Sequence, residues 1–123
     1  MQYLTARKRA EGLGSAKSGT EHFWRMHLTS VALAVLVPVF VFTFGCILGA
    51  PHAEVAAYFA RPFPAIVTAL TLVVGFLHFA AGARVMIEDY WQGAARHWLI
   101  IGVSGLSYAC IATGLFALVR LAL

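Results

Sequence analysis

Charge is what this sequence has least of. Asp, Glu, Lys and Arg make up 11% of its 123 residues, hydrophobic residues 61%, and the mean hydropathy is +0.82. A soluble core of this size has no use for so much apolar side chain, so the composition describes one small unit that is mostly membrane-embedded. Cysteine is nearly absent as well. Cys46 and Cys110 both fall inside long apolar segments, with neither C-x-x-C spacing nor histidines close by in sequence. That excludes a cysteine-ligated iron–sulfur cluster and leaves both as small apolar packing residues. There is no nucleotide-binding glycine loop, no soluble catalytic domain, and no repeat with the period of a solenoid or an inverted-repeat transporter. The formal net charge of +4 does not signal nucleic acid, because most basic residues precede the first apolar run instead of alternating with aromatics on a wet surface. A cleaved signal peptide is not expected either: 27 residues precede the first apolar run, which is itself too long for the hydrophobic core of a leader.

What is present divides into a polar arm, residues 1–26, and a membrane domain, residues 27–123. The arm reads as flexible, with Arg7, Lys8, Arg9 and Lys17 around the stretch "GLGSAKSG". In "TEHFWRMH", Thr20 is a candidate cap for a short helix, and Phe23 and Trp24 beside Arg25 have the character of a membrane-interface belt. Residues 28–50 carry no charge and as a helix span roughly 34 Å, enough for a hydrocarbon core of about 30 Å. Pro38 inside this run removes a backbone hydrogen bond and bends the helix, and Pro51 closes it. "HAEVAAYFAR" is a connection with room for an interfacial helical turn or two, ended by "RPFP". A second helix follows over 65–88. Gly93 is the break after it, and a third helix covers 98–119. The fold class is therefore all-α: three transmembrane helices that bury little against one another and form part of a larger helix bundle.

Lys and Arg in the flanks set the orientation. Seven of them (Arg7, Lys8, Arg9, Lys17, Arg25, Arg84, Arg96) adjoin the N-terminus and the second loop, and two (Arg61, Arg120) adjoin the other side. The positive-inside rule then places the N-terminus and the second loop on the cytoplasmic (or matrix-equivalent) side and the C-terminus on the other. On the third helix, Gly102, Gly105, Ala109 and Ala112 share one face, suited either to this chain's own packing or to close approach by another helix or a flat cofactor.

The second helix ends in "LHFAAGARVMIEDYW", polar groups in a run otherwise fit for lipid. His78 is the one histidine inside a predicted span; His22, His27, His52 and His97 lie in flanks and loops. It sits roughly 9 Å deeper than Arg84 and 16 Å deeper than Asp89. A helix–helix hydrogen bond is the plain use of such a ring. The small residues Gly75, Ala81 and Gly82 strip bulk from its face, however, so a flat macrocycle can lie there, and a neutral imidazole is an ordinary haem-iron ligand. With no second deep histidine, the other axial ligand of a bis-histidine haem has to come from another subunit. Glu88 reads as an interface carboxylate. Asp89 and Tyr90 read either as interface groups or as parts of a quinone site, where the phenol donates a hydrogen bond and the carboxylate relays a proton. Arg84 is a snorkelling residue, a partner for Asp89, or a partner for a haem propionate.

His78, Gly82, and "EDYW" with Asp89 eleven residues after the histidine and Tyr90 next to it, resemble the family of hydrophobic membrane anchor subunits of succinate dehydrogenase, respiratory complex II. The size, the three-helix layout and the lead-in "GSAKSGTEHFW" are similar to α-proteobacterial and mitochondrial-like members, from about Gly12 onward. The resemblance implies a multi-pass subunit of a bacterial inner (cytoplasmic) membrane that pairs with a cytochrome b556 subunit. Each of the two contributes one histidine to a haem b, and together they hold an iron–sulfur subunit and a flavoprotein subunit. It further implies that His78 ligates the haem iron, Tyr90 hydrogen-bonds ubiquinone and Asp89 supports proton delivery. The chain alone is then not expected to oxidise succinate and holds no catalytic residue of that reaction. One departure stands out. Where family members often carry an arginine in the first turn of the first helix, the aligned residue here is His27, with Arg25 two residues earlier. An anchor of a fumarate reductase, or a haem-free scaffold or transporter protomer, are the competing readings.

Overall fold

The computed structural model describes residues 3–12 and 19–122. Its elements are the helices α1 (Ala6–Glu11), α2 (Gly19–Gly45), α3 (His52–Phe59), α4 (Pro62–Tyr90) and α5 (Gly93–Ala122), with no strand among the described residues. Of the N-terminal arm expected to be flexible, residues 1–2 and 13–18, Lys17 among them, lie outside the described residues. Residues 6–11, expected to lack structure, instead form α1. Thr5 caps it: its hydroxyl accepts from the Lys8 amide at 3.2 Å, satisfying one of the amides that a helix start leaves over. α1 packs against no other described element.

Helices α2, α4 and α5 are the three long and apolar enough to cross a membrane. α4 and α5 overrun their predicted limits at both ends, and α2 overruns its predicted start. In chain order the three contain 27, 29 and 30 residues, so each is roughly 40 Å or more in length, against a hydrocarbon core of about 30 Å. The longest extensions, residues 19–27 of α2 and 93–97 of α5, lie at the end of the molecule where α4 finishes; α4 itself gains three residues at its start and two at its end. The aromatic lead-in and the first span are thus a single helix, with Thr20 inside it instead of capping it. At the far end α2 stops at Gly45, short of Ala50. The chain there tightens through three-residue hydrogen bonds from Ile47 to Phe44, Leu48 to Gly45 and Ala50 to Ile47, and Gly49 takes the left-handed φ of 84°. An apolar run alone does not show such a stop, because the stop is made by backbone torsion. α2 runs on through Pro38.

The connection predicted to hold a helical turn is α3, anchored where the Tyr58 hydroxyl donates to the Thr43 carbonyl at 3.0 Å and where Phe59 is buried. Pro62 then opens α4, a first-turn position where its missing amide costs nothing. Gly93, at φ 64°, turns α4 into α5 as the sequence suggested.

α4 is the middle helix. It packs against α2 on one side and α5 on the other, while α2 and α5 do not pack together, so the three spans form an open row. Close approach of α5 to α4 falls at Gly114, where any Cβ would run into the Leu72 side chain. The stripe of Gly102, Gly105, Ala109 and Ala112 is exposed, and no described atom beyond the helix's own neighbouring backbone lies within 4 Å of where a Cβ on either glycine would be. Packing of this chain's own helices is therefore not its purpose. The expectation of little mutual burial holds: Leu28, Phe42 and Trp98 are 70%, 76% and 72% exposed. Four hydroxyls in the spans are satisfied locally, Thr43, Thr71, Ser107 and Thr113 each donating to the carbonyl four residues back, whereas the buried Thr68 Oγ1 has no hydrogen-bond partner among the described residues. Such a back-bond satisfies a hydroxyl where water is absent.

Candidate functional site

His78 lies midway along α4, half-buried, on the side facing α2. Its Nδ1 is 2.8 Å from the Thr29 hydroxyl oxygen of α2. The helix–helix hydrogen bond that sequence reasoning set against haem ligation is thus present, and it engages one ring nitrogen of two. Small residues around the ring leave room: a Cβ on Gly82 would reach no closer than 3.9 Å to Met26 Cε, and one on Gly75 would meet nothing. Gly75 opens onto a shallow hollow of about 180 Å³, lined with Thr71, Leu72, Phe76 and Phe79.

A larger groove of about 280 Å³ runs over α4 between α2 and α5. Its apolar floor is Leu77, Ala80 and Ala81; Leu28 and Thr29 wall one side, Ser104 and Tyr108 the other. Towards the charged end it is bordered by His22, Arg25 and Arg84. Ligand pockets range from about 300 to 1,000 Å³, so this groove is of a size to be one wall of a site that another surface completes. The two α2 residues left open by the sequence stand differently to this groove. Arg25 lines it, three residues from His22 and four from Thr29, on one helical face. His27, about 200° further round than Arg25, stacks at 6.0 Å on Phe23 and meets Trp24 edge-on at 6.1 Å. Among the described residues Arg25 has only a loose ion pair, 4.0 Å to Glu21 between two exposed side chains.

The end of α4 is organised by Glu88, which sequence reasoning had set aside. Its Oε1 accepts from Arg84 Nε at 3.0 Å along α4 and lies 3.4 Å from an Arg96 Nη of α5, so one carboxylate fastens the two helices across their turn. Arg84 is paired with Glu88 and not with Asp89. The signal was in the spacing, since residues four apart share a helical face and residues five apart do not. Arg96 could not be found that way, because only the folding back of α5 brings it near. Asp89 is exposed and has no hydrogen bond or ion pair with another described residue; Tyr90 is 79% exposed, edge-on to Trp91 at 6.4 Å. The site residues therefore form two groups. His78 is joined by Thr29 with Arg25 and Arg84 nearby, and Asp89 and Tyr90 face outward beyond them.

These groups fit a haem's chemistry in part. A ring nitrogen remains for iron, the face beside it is stripped of bulk, and two guanidiniums border the adjacent groove where acidic edge groups would find counter-charge. Among the described residues no cluster of three His, Cys, Asp or Glu side chains is placed to hold a bare metal ion.

Fold and site thus define a three-helix membrane protein whose polar groups are left for other surfaces to cover. The sequence model of the family described as succinate dehydrogenase/fumarate reductase transmembrane subunit matches residues 1–119. The succinate dehydrogenase hydrophobic membrane anchor subunit of Paracoccus denitrificans is 47% identical over 123 residues, covering 100% of this chain and 95% of that protein. The subunit of the same name from Rickettsia conorii is 31% identical over 83 residues, 67% of this chain and 66% of that one. No solved structure matches. The chain belongs to the succinate dehydrogenase/fumarate reductase transmembrane subunit family, as a membrane anchor.

Proposed function

We propose that this chain anchors a succinate:ubiquinone oxidoreductase in a bacterial inner membrane, with its N-terminus in the cytoplasm, and that it supplies one axial ligand to a haem b and part of the ubiquinone site. The partners are a cytochrome b556 subunit, which brings the second histidine, and the iron–sulfur and flavoprotein subunits, which carry out succinate chemistry. The observation that carries the reading is the His78 ring, fixed in mid-span through one nitrogen with the other left over, beside a groove bordered by Arg25 and Arg84.

A bound haem supplies a one-electron carrier. The protein's own residues do the rest. His78 would hold the iron, and Arg25 and Arg84, which border the groove, would neutralise acidic groups there. Tyr90 donates its phenolic hydrogen to a quinone carbonyl oxygen, favouring the form in which that oxygen gains charge. Asp89, exposed beside it, takes protons from water and passes them on as the quinone accepts two electrons and two protons. The exposure of Tyr90 and Asp89 suits a site finished by partner subunits. The family description covers fumarate reduction as well, and the potential of the quinone selects the direction.

The test is a reduced-minus-oxidised visible spectrum of the assembled complex carrying His78→Ala. The low-spin b-type bands should be altered or lost, with considerable quinone reduction retained. Unchanged bands at one haem per complex would remove His78 from the haem.

A further inference from the structure

We propose that Thr29 is a positioning residue for His78: its hydroxyl accepts the Nδ1 proton, which fixes the imidazole as the tautomer whose Nε2 lone pair is available to iron. The proposal rests on the reading of His78 as an axial ligand. Thr29 Oγ1 has three close neighbours, the Arg25 carbonyl at 2.9 Å, the Met26 carbonyl at 3.0 Å and His78 Nδ1 at 2.8 Å. A hydroxyl owns one hydrogen and two lone pairs, whereas carbonyl oxygens only accept. If the hydroxyl hydrogen pointed to Nδ1, both carbonyl contacts would set lone pair against lone pair. If it points back to the carbonyls, as for Thr43, Thr71, Ser107 and Thr113, the oxygen's remaining capacity is to accept, and Nδ1 must be the donor. One arrangement satisfies all three contacts, and it puts the ring proton on Nδ1.

The β-branched threonine makes this acceptor rigid. Its rotamer is restricted in a helix, and the back-bond to α2 holds the oxygen in place. Among the described residues Thr29 is the hydrogen-bond partner that the His78 Nδ1 meets. An acceptor on the far nitrogen of a ligating histidine also fixes ring orientation and makes the ligand more electron-donating, which favours ferric over ferrous iron. Thr29 was not marked by the sequence, where it reads as a tolerated hydroxyl at the start of an apolar run.

The test compares Thr29→Val, which keeps the branched shape and removes the acceptor, with Thr29→Ser, which keeps the hydroxyl. Each variant is purified as the assembled complex, and haem content and the haem midpoint potential are measured by optical redox titration. Thr29→Val should retain haem up to about 10- to 100-fold less tightly. Its potential should move upward as the ferrous form gains up to about tenfold, ~59 mV for a one-electron couple. Thr29→Ser should sit near the parent in both. The proposal is overturned if Thr29→Val matches the parent, or if Thr29→Ser is as perturbed as Thr29→Val, since shape and not the hydroxyl would then be what matters. Should Thr29→Val fail to assemble, Thr29→Ser decides: parent-like haem content and potential support the proposal, and failure to assemble overturns it. Unaltered bands in His78→Ala would overturn the ligand assignment itself, whereas altered bands there with a parent-like Thr29→Val would overturn only the role of Thr29.

Discussion

The middle of α4 and its end hold their polar residues in opposite ways. At the middle, His78 is secured within the chain by Thr29. At the end, Tyr90 is 79% exposed and Asp89 has no partner among the described residues. The physics of the two depths explains the difference. In hydrocarbon an unbonded polar atom costs several kcal/mol, so a deep histidine has to be satisfied during assembly of this chain or by a cofactor. Beyond the hydrocarbon, water or a partner subunit can satisfy a carboxylate or phenol, and such groups can be left outward for a substrate shared between chains. Glu88 stands between the two, close enough to the end to be partly wet and still fastened to Arg84 and Arg96.

The contrast fails most completely if the charged end faces the wrong side of the membrane. A fluorescent-protein fusion at Leu123 should be dark and an alkaline phosphatase fusion active; a bright, phosphatase-inactive fusion would put the α4 end away from the soluble subunits. Tyr90→Phe comes next in size. It keeps the ring and removes the proposed hydrogen bond to the quinone, worth about 1 to 3 kcal/mol, so quinone reductase activity should fall roughly 5- to 150-fold. Activity with an artificial acceptor that takes electrons before the quinone should stay nearly unchanged, and so should the haem bands. Intact quinone reduction in an assembled, haem-replete Tyr90→Phe complex would return Tyr90 to the role of an interface anchor. The smallest effect belongs to Glu88→Gln. Its ion pairs are partly exposed, with Arg84 57% and Arg96 43% accessible, so the loss should be about 0.2 to 1 kcal/mol. A double-mutant cycle with Arg96→Gln, read by thermal inactivation of the complex, checks it; a coupling well beyond that range would mean the clamp is dry and structural.

Three spans, the helical character of the connection and the turn at Gly93 were legible in the sequence, because lipid enforces long apolar runs and glycine marks a left-handed turn. The helix ends were less so. Helices outlast their apolar runs wherever backbone hydrogen bonding continues past the hydrocarbon, as at Gly19–His27 and Gly93–His97, and they stop early where torsion tightens, as after Gly45. In the site, His78 stood out as a lone deep imidazole, whereas Thr29 and Arg96 carried no mark, being ordinary residues until α2 and α5 come to lie beside α4.

By itself the sequence determined the membrane setting, the number of spans, the uneven distribution of basic residues, and the resemblance carried by His78, Gly82, Asp89 and Tyr90. Those are properties of residue type and spacing along one helix. Tertiary structure alone decided that α4 lies between its neighbours, that Thr29 meets His78, that Arg25 and not His27 faces the groove, and that Arg84 and Arg96 converge on Glu88. Apart from the Arg84 pairing, which helical spacing permits, each depends on the rotation and height of one helix against another. Those are set by side-chain packing between segments distant in the chain, which no local pattern encodes.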